Sequence, residues 1–227
     1  MHILVAALIV LLLLFGPNLW VQQVLKRHAT PRDDFPGTGG EFARHLLQRL
    51  QLNEVRAESS TGGDHYDPGA RTVRLTPDKF NGKSLTAVTV AAHEVGHALQ
   101  DAGDYAPLRL RTQLVKAARP LERLGAGILM AAPLLGVLTR LPLLSLLMVA
   151  GGLLSLGTTS LIHLLTLPTE LDASFARAMP MLKDGKVLKS VDLPHARRLL
   201  KAAALTYLAA SLASLLNIAR WWALVRR

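Results

Sequence analysis

Ser84-Leu85-Thr86-Ala87-Val88-Thr89-Val90-Ala91-Ala92-His93-Glu94-Val95-Gly96-His97-Ala98-Leu99-Gln100-Asp101-Ala102 reads as one helix. Ser84 can cap its start, the lead-in to Ala92 holds no breaker, and Gly103 offers a stop. On that helix His93 and His97 are four residues apart, so both imidazoles share a face about one 5.4 Å turn apart. This spacing suits two corners of a tetrahedral metal site, with Glu94 set to the side, where it can act on a water. The chain has eight histidines in 227 residues. A chance H-E-x-x-H match is then expected on the order of once in a hundred such chains, so a helical metal site outweighs a pair of ordinary histidines.

Composition places this helix in an apolar context. Half of the residues are hydrophobic, mean hydropathy is +0.29, and only 5% are aromatic. The excess is therefore aliphatic and unevenly spread, which predicts a membrane protein with a polar insert. Ile3 to Leu14, extended through Trp20 to Leu25, reads as an uncleaved anchor: no Lys or Arg precedes it and no A-x-A site follows. Leu124 to Leu138 and Leu141 to Leu167 read as a transmembrane hairpin, and Ala202 to Ala219, ending at Arg220-Trp221-Trp222, as a fourth span. The expected organisation is an anchor over 1–25, an α+β segment with the histidine helix over 26–122, the hairpin over 123–167, a second polar segment over 168–201, and a C-terminal transmembrane helix over 202–227. The fold expected is thus a mainly α integral membrane protein of about four transmembrane helices around a small α+β core. Lys and Arg are concentrated in the two polar blocks, which predicts that both face the cytoplasm.

The net charge of +10 raises nucleic-acid binding as an alternative. The basic residues cluster near the ends of the apolar runs, where anionic lipid explains them, so no nucleic-acid partner is expected. With no cysteine in the chain, disulfides and thiolate ligands are excluded, and a metal must take nitrogen and oxygen donors.

Within the first polar block, Thr38-Gly39-Gly40-Glu41 can open a short amphipathic helix with Phe42, Leu46, Leu47 and Leu50 on one face. Val55 to Ser59 and Thr72 to Thr76 read as strands separated by turn-rich sequence that includes His65 and Tyr66. An exposed edge there could hold an extended peptide, and a purely structural hairpin is the equal alternative. His163, inside the third apolar run, is better read as an imidazole bonded to a neighbouring helix than as a functional group.

Two histidines need a third protein ligand, with one position left for water. The metzincin pattern fails, because Gln100 and Gly103 stand where it requires Gly and His. Asp101, Asp104, Glu122, Glu170 and Asp172 are the carboxylates available, and Glu170 is best placed. It follows the third apolar run directly, which returns it to the side of His93 and His97.

The segments His65-Tyr66-Asp67-Pro68, Val73-Arg74-Leu75-Thr76-Pro77, Ala91 to Gln100, Tyr105 to Arg111, Leu167 to Ser174 and Ala203 to Tyr207, in this order, resemble the bacterial YugP-type membrane-bound neutral zinc metallopeptidases. The resemblance covers nearly the whole chain. It implies a gluzincin-like zinc-peptidase core in a multi-pass protein of the bacterial inner membrane, one Zn²⁺ per chain held by His93, His97 and Glu170, and Glu94 as catalytic base. Soluble gluzincins often carry Asp four residues after the ligand glutamate. Here that position is Ser174, so Asp172 is the expected support behind a histidine.

The function expected is that of a zinc metalloendopeptidase: hydrolysis of a peptide bond by a zinc-activated water, with Glu94 as general base. His65, Tyr66 and Tyr207 are candidates to contact the substrate or the developing negative charge. Expected partners are a peptide or protein substrate, membrane-associated or arriving from the cytoplasm, and the lipid bilayer. A zinc-binding membrane scaffold without peptidase activity is the alternative from another class. Glu94 argues against it, because a purely structural site has no use for an acid beside an open position. Solute transport is weaker still, since the apolar runs hold almost no ionisable residues.

Overall fold

A computed structural model describes residues 2–184, 187–206 and 209. Two compact units divide the chain: one gathers residues up to Asn18 with Leu110–Thr166, the other Leu19–Arg109 with Leu167–Thr206.

In the first unit, the start of helix α1 (His2–Arg27) is joined by most of α5 (Ala106–Thr139) and by α6 (Pro142–Leu165). Helices α5 and α6 form an antiparallel pair around buried Ala132 and Val149. The chain reverses through Arg140, whose φ of 54° lies in the left-handed region.

Among the described residues, no helix is long and apolar enough to cross a membrane. This overturns the expected four-span integral membrane fold. The bilayer as a partner, the multi-pass inner-membrane localisation and the cytoplasmic placing of the polar blocks fall with it. In α1 the aliphatic stretch gives way to Pro17, Asn18, Gln22, Gln23, Lys26 and Arg27. In α5 the apolar run 124–138 extends only about 22 Å at 1.5 Å per residue, against a hydrocarbon core of about 30 Å, and basic residues fill the helix before it. Of the fourth run, everything beyond Thr206 except Ala209 lies outside the described residues.

The second unit holds the chemistry. Helix α2 (Gly39–Arg49) starts at the expected place: Thr38 accepts from the Glu41 amide while the Glu41 carboxylate accepts from the Thr38 amide. Phe42, Leu46 and Leu47 are buried against helix α4 (Leu85–Ala102). The approach is close, since a Cβ on Gly39 would lie 3.0 Å from the Ala87 carbonyl oxygen. Strands β1 (Arg56–Ser59), β2 (His65–Asp67) and β3 (Thr72–Leu75) form a sheet in the order β1-β3-β2, followed by the short helix α3 (Pro77–Phe80). β1 runs parallel to β3, pairing Ala57 with Val73, and β2 runs antiparallel, pairing Tyr66 with Val73. The expected pair of strands is thus a three-stranded sheet, and His65 and Tyr66 belong to an edge strand, not to a loop. Val73 and Leu75 are fully buried beneath it.

Beyond the first unit the chain returns as α7 (Leu167–Leu171), a π-helical segment (Asp172–Ala178) and α8 (Met179–Asp184), continuous through residue 184. A final helix, α9, is described over 193–206. Leu182, Leu199 and Leu200 join the core formed by α2, the sheet and α4. At the surface Arg32 ties the chain ahead of α2 to that ahead of α9, pairing with Asp34 and, at 2.6 Å, with Asp192.

Candidate metal centre

Helix α4 is central to the second unit. Ser84 caps it by accepting from the Ala87 amide at 3.1 Å, and it ends at Ala102, with the left-handed φ of 53° falling on Asp104. Its residues are buried almost throughout, because α2, α3, the sheet and the π-helical segment all pack on it. Gly96 sets how closely the last of these approaches: a Cβ there would lie 2.7 Å from the Ala173 carbonyl oxygen. The middle of the H-E-x-x-H stretch therefore needs glycine for contact, since the neighbouring atom is backbone and cannot turn aside.

This approach brings Glu170 to the two histidines. One donor atom from each of His93, His97 and Glu170 lies within 4.8 Å of the others. Glu170 Oε2 is 3.3 Å from His93 Nε2 and 3.2 Å from His97 Nε2. The rings meet nearly edge to face, at 78° with centroids 4.8 Å apart. Exposure is 2% for His93, 3% for His97 and 0% for Glu170. A carboxylate so fully removed from water needs a compensating positive charge.

Hydrogen bonds behind the rings determine what faces Glu170. His93 Nδ1 lies 3.0 Å from Ser174 Oγ, whose own hydroxyl donates to the Leu200 carbonyl at 3.1 Å. With its single proton so placed, Ser174 can only accept from the ring, so Nδ1 carries the hydrogen and, in the neutral ring, Nε2 keeps a lone pair. His97 Nδ1 lies 2.8 Å from Gln100 Oε1. Lone pairs on Nε2 opposed to a carboxylate oxygen repel unless a positive centre sits among them. Ligands held about 2.0–2.1 Å from a tetrahedral ion stand about 3.3 Å apart, close to both separations here. The donor set, two imidazole nitrogens and a carboxylate oxygen, therefore fits a zinc-type divalent cation.

Ser174 thus stands directly behind His93. Asp172 reaches His97 only through Gln100, accepting from Gln100 Nε2 at 2.7 Å and from Arg177 Nε at 2.8 Å. Partial burial pushes the Asp172 carboxyl up, but these two hydrogen bonds outweigh it and hold it below the usual carboxylate range. Gln100 is a residue that motif reading passes over. Its signal in the sequence is a polar side chain three residues after His97 on a helix otherwise apolar around the motif.

The other candidates are dispersed. Glu94 is 6% exposed, in the buried middle of α4. The Tyr66 hydroxyl donates to Asp101 Oδ2 at 2.8 Å, and burial, reinforced by that carboxylate, raises its pKa strongly. Its proton is therefore engaged one helical turn beyond His97. A cavity of about 570 Å³ opens beside that pair, lined by Asn53, Glu54, Arg71 and Ala98 among others, and none of His93, His97 and Glu170 lines it. His65 Nδ1 lies 3.2 Å from the Gly63 carbonyl. Asp104 is exposed and pairs with Arg109. Tyr207 lies outside the described residues.

Two histidines a turn apart on one buried helix, and a glutamate brought to them by another, form a cluster of nitrogen and oxygen donors that could hold a metal ion. The chain belongs to the family described as "Putative neutral zinc metallopeptidase", which it matches over residues 3–226. It is similar to "Putative membrane protease YugP" of Bacillus subtilis (strain 168), with 34% identity over 212 residues covering 91% of this chain and 90% of that protein. No solved structure matches it.

Proposed function

We propose that this chain is a zinc peptidase whose ion is held by His93, His97 and Glu170, with Glu94 as the general base. The convergence of both Nε2 atoms on Glu170 Oε2 carries the reading. When bound, zinc supplies a Lewis acid that polarises a peptide carbonyl and makes water a nucleophile near neutral pH. Glu94, next in sequence to His93 and shielded from bulk solvent, accepts the proton of the attacking water and returns it to the departing amine. Burial of the three donors excludes competing water, which strengthens every charge interaction within the site. Ser174 and Gln100 orient the two rings through their Nδ1 atoms, so that Nε2 of each is the atom presented toward Glu170 and the ion.

The test separates metal binding from turnover. Glu94→Gln is expected to retain zinc by elemental analysis while cleavage of a peptide library falls by at least about 10²-fold. Retained turnover would remove Glu94 from the role of base. Glu170→Ala is expected to lose zinc on dialysis; unchanged metal content would remove Glu170 from the ligand set.

A further inference from the structure

We propose that Gln100 is a positioning residue of the metal centre, one amide that sets the tautomer of His97 and ties the helix bearing both histidines to the segment bearing Glu170. The inference rests on the zinc reading of the site. Gln100 is completely buried, and its surroundings permit one orientation of the amide. Its Nε2 lies 2.9 Å from the Thr169 carbonyl oxygen and 2.7 Å from Asp172 Oδ2. A carbonyl accepts only, and the Asp172 oxygen already accepts from Arg177 Nε at 2.8 Å. The NH₂ end must therefore face these two groups, which use both of its hydrogens. Oε1 is left toward His97 Nδ1 at 2.8 Å, where it can only accept. His97 is thus held with hydrogen on Nδ1, and its neutral form presents the Nε2 lone pair on the side facing Glu170.

Thr169 immediately precedes Glu170, so the same amide also fixes the backbone that presents the carboxylate. The Gln100 position therefore governs a ligand on each of two elements 73 residues apart in sequence. An amide here also differs from the carboxylate that often backs a metal-bound histidine. It orients the ring while keeping the Asp172 charge one side chain away, neutralised by Arg177. A glutamine that served only to fill the core would contribute to stability without bearing on the ligands.

Zn²⁺ affinity of the full chain, measured by competition with a chromophoric chelator, and the visible spectrum of the Co²⁺-substituted protein distinguish the two roles. Gln100→Met, close in volume but without hydrogen bonds, is expected to weaken Zn²⁺ binding about 10–100-fold and to shift the Co²⁺ ligand-field bands. Gln100→Glu keeps an acceptor for His97 Nδ1 but loses the NH₂ group and sets a carboxylate against the Thr169 carbonyl and Asp172, so it too is expected to weaken Zn²⁺ binding and shift the Co²⁺ bands; it serves as the working variant should the methionine chain not fold. Either variant binding within twofold of the unmodified chain with the same Co²⁺ spectrum would overturn the proposal. Failure of the unmodified chain to take up Zn²⁺ would overturn the metal-centre reading together with this one; tight binding that is indifferent to Gln100 defeats this one alone.

Discussion

At the residue scale, the centre depends on groups that touch no metal. Ser174 is a hydroxyl between an imidazole N–H and the Leu200 carbonyl. Ser174→Ala would leave both buried without their partner and free the His93 ring. The expected outcome is a loss of zinc affinity of about 10–100-fold with the fold retained, read by chelator competition beside circular dichroism. Gly96 acts by size. A methyl at this position must push the Ala173 backbone away, so Gly96→Ala is expected to cost about 1–3 kcal/mol in urea unfolding and to lower zinc retention, because the displaced segment carries Glu170. Normal stability with normal zinc content would show that this helix contact is not what brings the ligands together.

At the scale of elements, the helix that carries Glu170 is not regular. Its π-helical turn, marked by the Met179 amide donating to the Ser174 carbonyl five residues back, begins two residues after Glu170. Such turns occur often at functional sites. Here Glu170 and Ser174, four residues apart, both meet α4, one through its carboxylate and the other through His93. The approach to α9 carries a pH dependence. Burial chiefly, then His195, Arg27 and Arg198, lower the pKa of His28, with Asp192 opposing them. Its ring stands 4.8 Å from that of His195. A lowered folded-state pKa means that the unfolded chain binds the proton more readily below about pH 6.5, so stability falls as pH drops from there toward the folded value. Unfolding midpoints measured between pH 7.5 and 5 should show this slope, and His28→Gln should flatten it. Asp172 has the same sign at lower pH: its contribution is present above the ordinary carboxylate range and lost as pH falls through the depressed value.

At the scale of the molecule, a metal bound by the cluster would link the site to the fold. A fully buried carboxylate faces two imidazole nitrogens between elements joined only through the distant turns of the chain, so an ion shared by all three stabilises the packed state against the unfolded one. Chelation is expected to lower the melting temperature, and readdition of zinc at about 100 times its Kd to restore about 2.7 kcal/mol. A melting curve indifferent to chelator would place the ion outside the three-residue cluster. Expectation and structure part over the aliphatic runs, which suggested four membrane spans. Among the described residues no helix is long and apolar enough to cross a membrane, and a short aliphatic run is as compatible with a helix packed in protein as with a span.

Short-range chemistry was legible in the chain itself. The Ser84 cap, the Thr38–Glu41 box and the four-residue spacing of His93 and His97 depend only on neighbours within a turn, and the absence of cysteine confines a metal to nitrogen and oxygen donors. Glu170 was the best of five carboxylates by its place after an apolar run, but only packing sets its oxygen 3.2–3.3 Å from both rings. The third strand, the parallel pairing of β1 with β3, and the work of Ser174 and Gln100 behind the histidines were decided by tertiary structure alone. Each depends on partners far apart in sequence, and the donor or acceptor role of a hydroxyl or an amide is determined by what the fold places against it.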